Sequence, residues 1–205
     1  MGYPTLELTR DKIQQIIKID VSQISKLSKF NQRTVKRLSK DKKVSPDRVT
    51  GLINTIKNDF YSANPDALGD DWSYGTTTIN GSVPPGRLLP LKNVERVVDE
   101  IVGDQHVSVN IGTRKAGTRV GIHVNEYGGT TFVIGGKGRY NEFLEGFPNS
   151  KNPVGSYFYV PSNTPVSAAN LSRKDIRIMD IFVTPVGVAD TVFIEPGYPG
   201  YNPPA

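Results

Sequence analysis

Two hydrophobic periodicities divide this chain. Up to about residue 62 the apolar positions recur at spacings of three and four, and from about residue 106 they alternate with period two. Ile13, Ile16 and Ile17 mark a first helix, with Thr9 as its N-cap and Asp11 in its first turn. Val21, Ile24 and Leu27 mark a second. Asn31 caps a third over 32–40, whose Val35 and Leu38 face inward. Ser45, Pro46 and Asp47 open a fourth, serine capping and proline at the first helical position, and Val49, Leu52, Ile53 and Ile56 supply its apolar face. Short helices with connections of a few residues predict a compact bundle.

Turn chemistry dominates 63–94, in Asn64-Pro65, Gly69-Asp70-Asp71, Asn80-Gly81 and Pro84-Pro85-Gly86. Trp72 and Tyr74 are the aromatic exceptions, suited to pinning this arm against a domain, and 76–79 reads as a short strand. Val94, Val97, Val98 and Ile101 have helical spacing and predict one short helix. Beyond it, alternation predicts strands near 106–111, 120–125, 131–134, 139–144, 157–160, 166–170 and 176–184, separated by Gly-, Asn- or Pro-containing turns. Many short strands at this spacing predict a sandwich or barrel that buries its edges. The fold class is therefore α+β and mainly β. Its divisions are a helical domain (1–62), a linker arm with a short helix (63–104), a β-barrel (105–185) and a Pro/Tyr-rich tail (186–205) that cannot form a helix. Such a tail can wrap the barrel, bridge a dimer or stay disordered.

Composition sharpens this picture in two places. The 205 residues contain no cysteine, which removes disulfides and thiolate metal sites from consideration. No stretch approaches the roughly 20 apolar residues that cross a bilayer, and the N-terminus lacks a signal-like apolar run, so a soluble cytoplasmic protein is expected. The net charge of +5 is uneven: residues 1–62 carry 13 Lys/Arg against 6 Asp/Glu, a balance of +7, and the remainder carries −2. A basic N-terminal segment favours a polyanionic partner.

The run from Ile24 to Pro46 resembles the helix-turn-helix of Cro/repressor-type DNA-binding domains. Ile24-Ser25 stands at the pair that opens the motif, Lys29-Phe30-Asn31 at its turn and cap (Lys29 where that family has glycine), and Thr34-Val35 at the buried step of the recognition helix. The resemblance implies double-stranded DNA as partner and a homodimer to match two-fold operators. Gln32, Arg33, Lys36 and Arg37 surround the exposed face of the third helix. Arg and Lys neutralise phosphates, while Gln and Arg can also read base edges.

In the β-rich half, alternation puts His123 and Asn125 on one strand face and Ile122 and Val124 on the other. Residues 117–136 fit the first motif of the cupins, G-x5-H-x-H-x3-E-x6-G, and residues 155–170 fit the second, G-x5-P-x-G-x2-H-x3-N. This half therefore resembles the cupins, double-sheet jelly-roll barrels. At the family's four metal-ligand positions stand His123, Asn125, Gly129 and Val166, and Asn163 replaces the turn glycine of the second motif. One histidine and one amide fall short of the three or four donors that a divalent transition metal needs, even if Glu126, Glu142 or Asp180 supplied an unconventional ligand. No cofactor is expected. What remains is a small-molecule pocket built from Arg119, His123, Asn125, Tyr127, Tyr140, Tyr157 and Tyr159, of which Tyr157 and Tyr159 share one face and Phe158 and Val160 the other. Only one of those pairs can line an interior. The reading is a DNA-binding transcriptional regulator with a cupin-like domain that senses a small effector or dimerises. The alternatives are a cupin-fold enzyme acting on a small polar metabolite, with His123 in acid–base work, and an assembly protein that uses the barrel as a scaffold.

Overall fold

The computed structural model describes residues 23–67, 69 and 72–204; the helix expected from Thr9 lies outside the described residues. A 3₁₀ turn (Gln23–Lys26) leads into a short helix, Lys29–Leu38, and a long one, Pro46–Ala63. Ser28 is the N-cap of the first, its Oγ accepting from the Asn31 N–H at 3.2 Å. This moves the expected cap of the short helix from Asn31 to Ser28. Lys29, Phe30 and Asn31 form the opening turn of a helix rather than the link between two, because serine caps one residue ahead of them and no glycine breaks the chain there. The long helix starts where its sequence places it, with Pro46 in the first turn and Asp47 beside the positive end of the dipole. Ser45 stands at the N-cap position, but its side chain makes no capping hydrogen bond.

Twelve strands follow: β1 (Arg87–Leu88), β2 (Lys92–Val102), β3 (Gln105–Arg114), β4 (Thr118–Arg119), β5 (His123–Val124), β6 (Gly129–Gly136), β7 (Arg139–Leu144), β8 (Ser150–Pro153), β9 (Tyr157–Val160), β10 (Val166–Asn170), β11 (Ile176–Pro185) and β12 (Val192–Phe193). Five of them form one sheet in the order β2-β3-β11-β6-β9. The other sheet runs β1-β4-β10-β5-β12, with β7 on the opposite edge of β10 and β8 beyond it. The architecture is a mainly β, double-sheet jelly-roll barrel. Among the described residues no helix is long and apolar enough to cross a membrane.

Alternation along β3 and β11 builds both sides of the larger core. Val107, Val109 and Ile111 of β3 and Met179 and Ile181 of β11 point outward, where Val35, Leu38, Val49, Leu52, Ile53 and Ile56 of the helices bury them. The helices thus share one core with the five-stranded sheet. The opposite faces of the same strands, including Asn110, Arg114, Ile178 and Asp180, look into the barrel.

Three expectations outside the helices change. Residues 94–101 belong to β2, not to a helix. Register shifts between Lys92 and Glu95 and between Arg96 and Val98 break the alternation, so the valines fall at spacings that imitate a helical period. The strand expected at 76–79 is reduced to a single bridge, Ile79 to Ser82, around the Asn80-Gly81 turn. The tail is ordered structure: β12 pairs with β5, Val192 opposite Val124 and Phe193 opposite His123, and Ile194 is fully buried.

Candidate functional site

The two sheets and the tail line an open-mouthed cavity of about 540 Å³. Its apolar wall comes from inward positions of both sheets, among them Val120, Phe158, Val160, Val166 and Ile178. Its polar groups converge from five elements: Arg114 on β3, His123 on β5, Tyr140 on β7, Asp180 on β11, and Tyr198 in the tail.

Each polar group is set by its neighbours. The His123 Nδ1–H donates to the Gly121 carbonyl at 2.8 Å, which leaves Nε2 as an acceptor. Burial, with Arg114 adding to it, pushes the His123 pKa down to about 4, so the ring is neutral at physiological pH. Asn125 is buried, and its Oδ1 accepts from Thr191 of the tail at 3.1 Å. The Thr131 hydroxyl donates to Asp180 at 2.6 Å, yet burial raises the Asp180 carboxyl to about 6. Burial likewise raises Tyr140 to about 12, with Arg114 pulling the other way. At one end of the cavity Asp190 accepts from Ser108 at 2.8 Å and pairs with Arg96 at 3.4 Å, tying the tail to the larger sheet.

Of the residues expected to form a pocket, His123, Asn125 and Tyr140 line this cavity and four do not. Arg119 turns away into a buried ion pair with Glu195, whose two carboxylate oxygens each lie 2.6 Å from a terminal guanidinium nitrogen. Tyr127 is 46% exposed on the turn between β5 and β6. Tyr157 and Tyr159 take the outer face of β9, where Tyr157 packs on Phe132 and Tyr159 on Phe60 and Tyr61 of the long helix. Phe158 and Val160 are the pair that faces inward. Arg114, Asp180 and Tyr198 complete the constellation. For the first two a signal existed, since each is a charged residue at an inward-alternating position of an apolar strand. Tyr198 had none.

The helical candidates all lie on the short helix. The Gln32 side-chain amide donates to the Ser25 and Leu27 carbonyls at 2.9 and 2.7 Å, which closes the preceding turn. Arg37 donates to the Lys43 carbonyl at 2.7 Å, and Arg33, Lys36 and Arg37 are all exposed on the short helix.

The residues at the cupin ligand positions do not fit a metal ion. Val166 lies opposite His123 on β10 and presents only methyl groups. A Cβ at Gly129 would stand 2.7 Å from the Phe182 ring and 3.2 Å from the Asn125 amide, so the space for a glutamate is already filled. Glu142 is occupied with Ser150 at 2.7 Å and does not line the cavity, and the described residues contain no group of three His, Asp or Glu suited to a metal. The framework of the second motif does persist: Asn163 adopts the left-handed conformation, φ 54°, where the family pattern has glycine.

No family model and no curated protein matches the sequence. Solved structures do align. A structure of the DMSP lyases RdDddP and RnDddQII is 20% identical with a TM-score of 0.37 over 42% of this chain and 43% of that one, so the chain spans less than half of that relative's length. The DMSP lyase DddQ from Ruegeria pomeroyi is 17% identical with a TM-score of 0.45, covering 70% of this chain and 69% of that chain. A cupin-like protein from Thermotoga maritima is 17% identical with a TM-score of 0.41, over 62% of this chain and 89% of that chain. The likeness is one of fold.

Proposed function

We propose that this protein is a ligand-binding barrel: a small organic molecule occupies the cavity, and the cupin metal positions take no part in holding it. The observation that carries this reading is the cavity itself, about 540 Å³ with Arg114, His123, Asn125, Tyr140, Asp180 and Tyr198 converging on it. That volume and that mixture of apolar wall and few polar groups are those of small-molecule sites. Because β3 and β11 present one face to the cavity and the other to the helices, closely packed strands connect occupancy to the helical surface, as a sensing module requires. An enzyme reading would rest on His123 and Asp180 as acid–base groups. Binding needs no such group.

The test is a thermal-shift screen of small metabolites against the wild type and Ala168→Phe, which puts a ring into the cavity from β10. Compounds that raise the wild-type Tm should leave the folded variant unmoved. A library that moves neither protein, or both equally, overturns the reading.

A second reading is contact with a polyanion through the short helix, in a paired protomer. What supports it is charge: residues 26–43 contain eight Lys/Arg and one Asp, with Arg33 and Lys36 exposed. Affinity for duplex DNA that falls steeply with salt, and is lost in Arg33→Ala/Lys36→Ala, is the expected result. Absence of binding at low salt ends this reading.

A further inference from the structure

Two arginines are buried in the barrel, and they are treated differently. Arg119 has a counter-ion in Glu195, which takes both of its terminal nitrogens. Arg114 is 1% exposed, and among the described residues no carboxylate forms an ion pair with it. Its Nη1 donates to the Leu89 carbonyl, and its Nε is buried with no partner. The hydroxyls of Tyr140 and Tyr198 lie against the guanidinium. The backbone beneath is held in place, with Arg114 paired to Ile176 in β11 and its carbonyl accepting from the Asn170 amide at 3.1 Å. Asp180 lines the same cavity and acts on the guanidinium through space, but no hydrogen bond or ion pair joins them. A guanidinium fixed in an apolar cavity with no directly paired counter-ion is costly unless a bound group supplies one.

We propose that the occupant is a small carboxylate: its head sits against the Nε edge of Arg114 between the Tyr140 and Tyr198 hydroxyls, and its apolar body lies among Val120, Phe158 and Val160. This rests on the barrel being a ligand-binding cavity. The planar fork of an arginine matches a carboxylate with two parallel hydrogen bonds, and the tyrosine O–H groups are further donors with few competing acceptors nearby. A phosphate fits less well. One of the terminal guanidinium nitrogens is committed to Leu89, and Asp180 places a second carboxyl in the same cavity, so a dianion would meet one cation and one like charge. Tyr198 reaches the site because Gly121 has no side chain. A Cβ there would stand 2.5 Å from the Tyr198 ring.

Titration calorimetry on the full chain tests this with phenylacetate and hexanoate, each against its primary amide, and with inorganic phosphate. The acids should bind at least ~10-fold more tightly than their amides, the range expected for losing a charge-assisted contact. Arg114→Met should weaken the acids by roughly 10- to 100-fold and the amides far less, narrowing the preference for acid over amide. Should that variant fail to fold, Arg114→Lys, which keeps the charge and loses the fork, and Tyr198→Phe should each weaken the acids selectively. Amides that bind as well as acids, phosphate that outcompetes them, or acids indifferent to Arg114→Met overturn the carboxylate assignment and leave the ligand-binding barrel standing. If neither acids, amides nor any compound of the thermal-shift library binds, both fall.

Discussion

Replacing Glu195 by alanine is the sharpest test of how the barrel is closed. Glu195 is brought to the barrel by the tail, and its side chain and that of Arg119 are 6% and 5% exposed. Its carboxylate takes two hydrogen bonds of 2.6 Å from Arg119 and a third, of 2.8 Å, from the Ile122 N–H. Truncation leaves the backbone N–H without a partner and the buried guanidinium with only the Val120 carbonyl, at 3.3 Å. Breaking a buried pair by removing one partner costs about 3–5 kcal/mol, and an orphaned backbone donor about 1–3 kcal/mol. The two terms overlap, so roughly 4 kcal/mol is expected for Glu195→Ala. For a chain of this size that corresponds to a Tm drop of roughly 8–16 °C. Urea unfolding followed by circular dichroism should show the same loss as a lower midpoint with an unchanged slope. The companion variant Arg119→Met/Glu195→Leu removes the charge together with its partner and keeps the apolar volume, so it should cost about 2 kcal/mol or less, the residue of the unpaired Ile122 N–H. A Glu195→Ala variant within about 1 kcal/mol of wild type would refute the reasoning, as would a double variant as damaged as the single.

Three further outcomes are expected. Gly121→Ala pushes a methyl group into the Tyr198 ring; it should cost about 1–3 kcal/mol as overpacking and free the tail for limited proteolysis. Burial raises the Glu142 carboxyl from 4.5 to about 7, so between those values the folded state holds more protons than the unfolded one and stability falls as pH rises. Glu142→Gln should therefore gain up to roughly 3 kcal/mol on wild type at pH 8 and little at pH 4, read from urea midpoints at the two pH values. Restoring the cupin ligand pattern with Asn125→His/Gly129→Glu/Val166→His should destabilise the protein without stoichiometric metal uptake, because Phe182 fills the space at position 129. Adding Phe182→Ala should permit uptake, and elemental analysis distinguishes the two.

Much of the barrel is legible along the chain because its strands bury one face. β7, β9 and β10 have the bounds that alternation indicates, and the long helix begins where Ser45 and Pro46 place it. His123 and Asn125 could be placed on one cavity-facing strand face for the same reason. Where local pattern fails, a non-local interaction has intervened. Two bulges against β3 disguise β2 as a helix, and a serine cap moves the start of the short helix across the expected turn.

What the sequence by itself determined is periodicity, capping and the loss of metal donors at the cupin positions, since these depend on residue type and spacing alone. Tertiary structure decided which polar groups share the cavity. Arg114 and Arg119 both lie on short-range patterns that place them inside the barrel, and no local feature says which is free to meet a ligand. The answer comes from Glu195, 76 residues beyond Arg119, which neutralises one arginine and leaves the other. A counter-ion that distant is fixed by how the tail packs, and packing has no period to read.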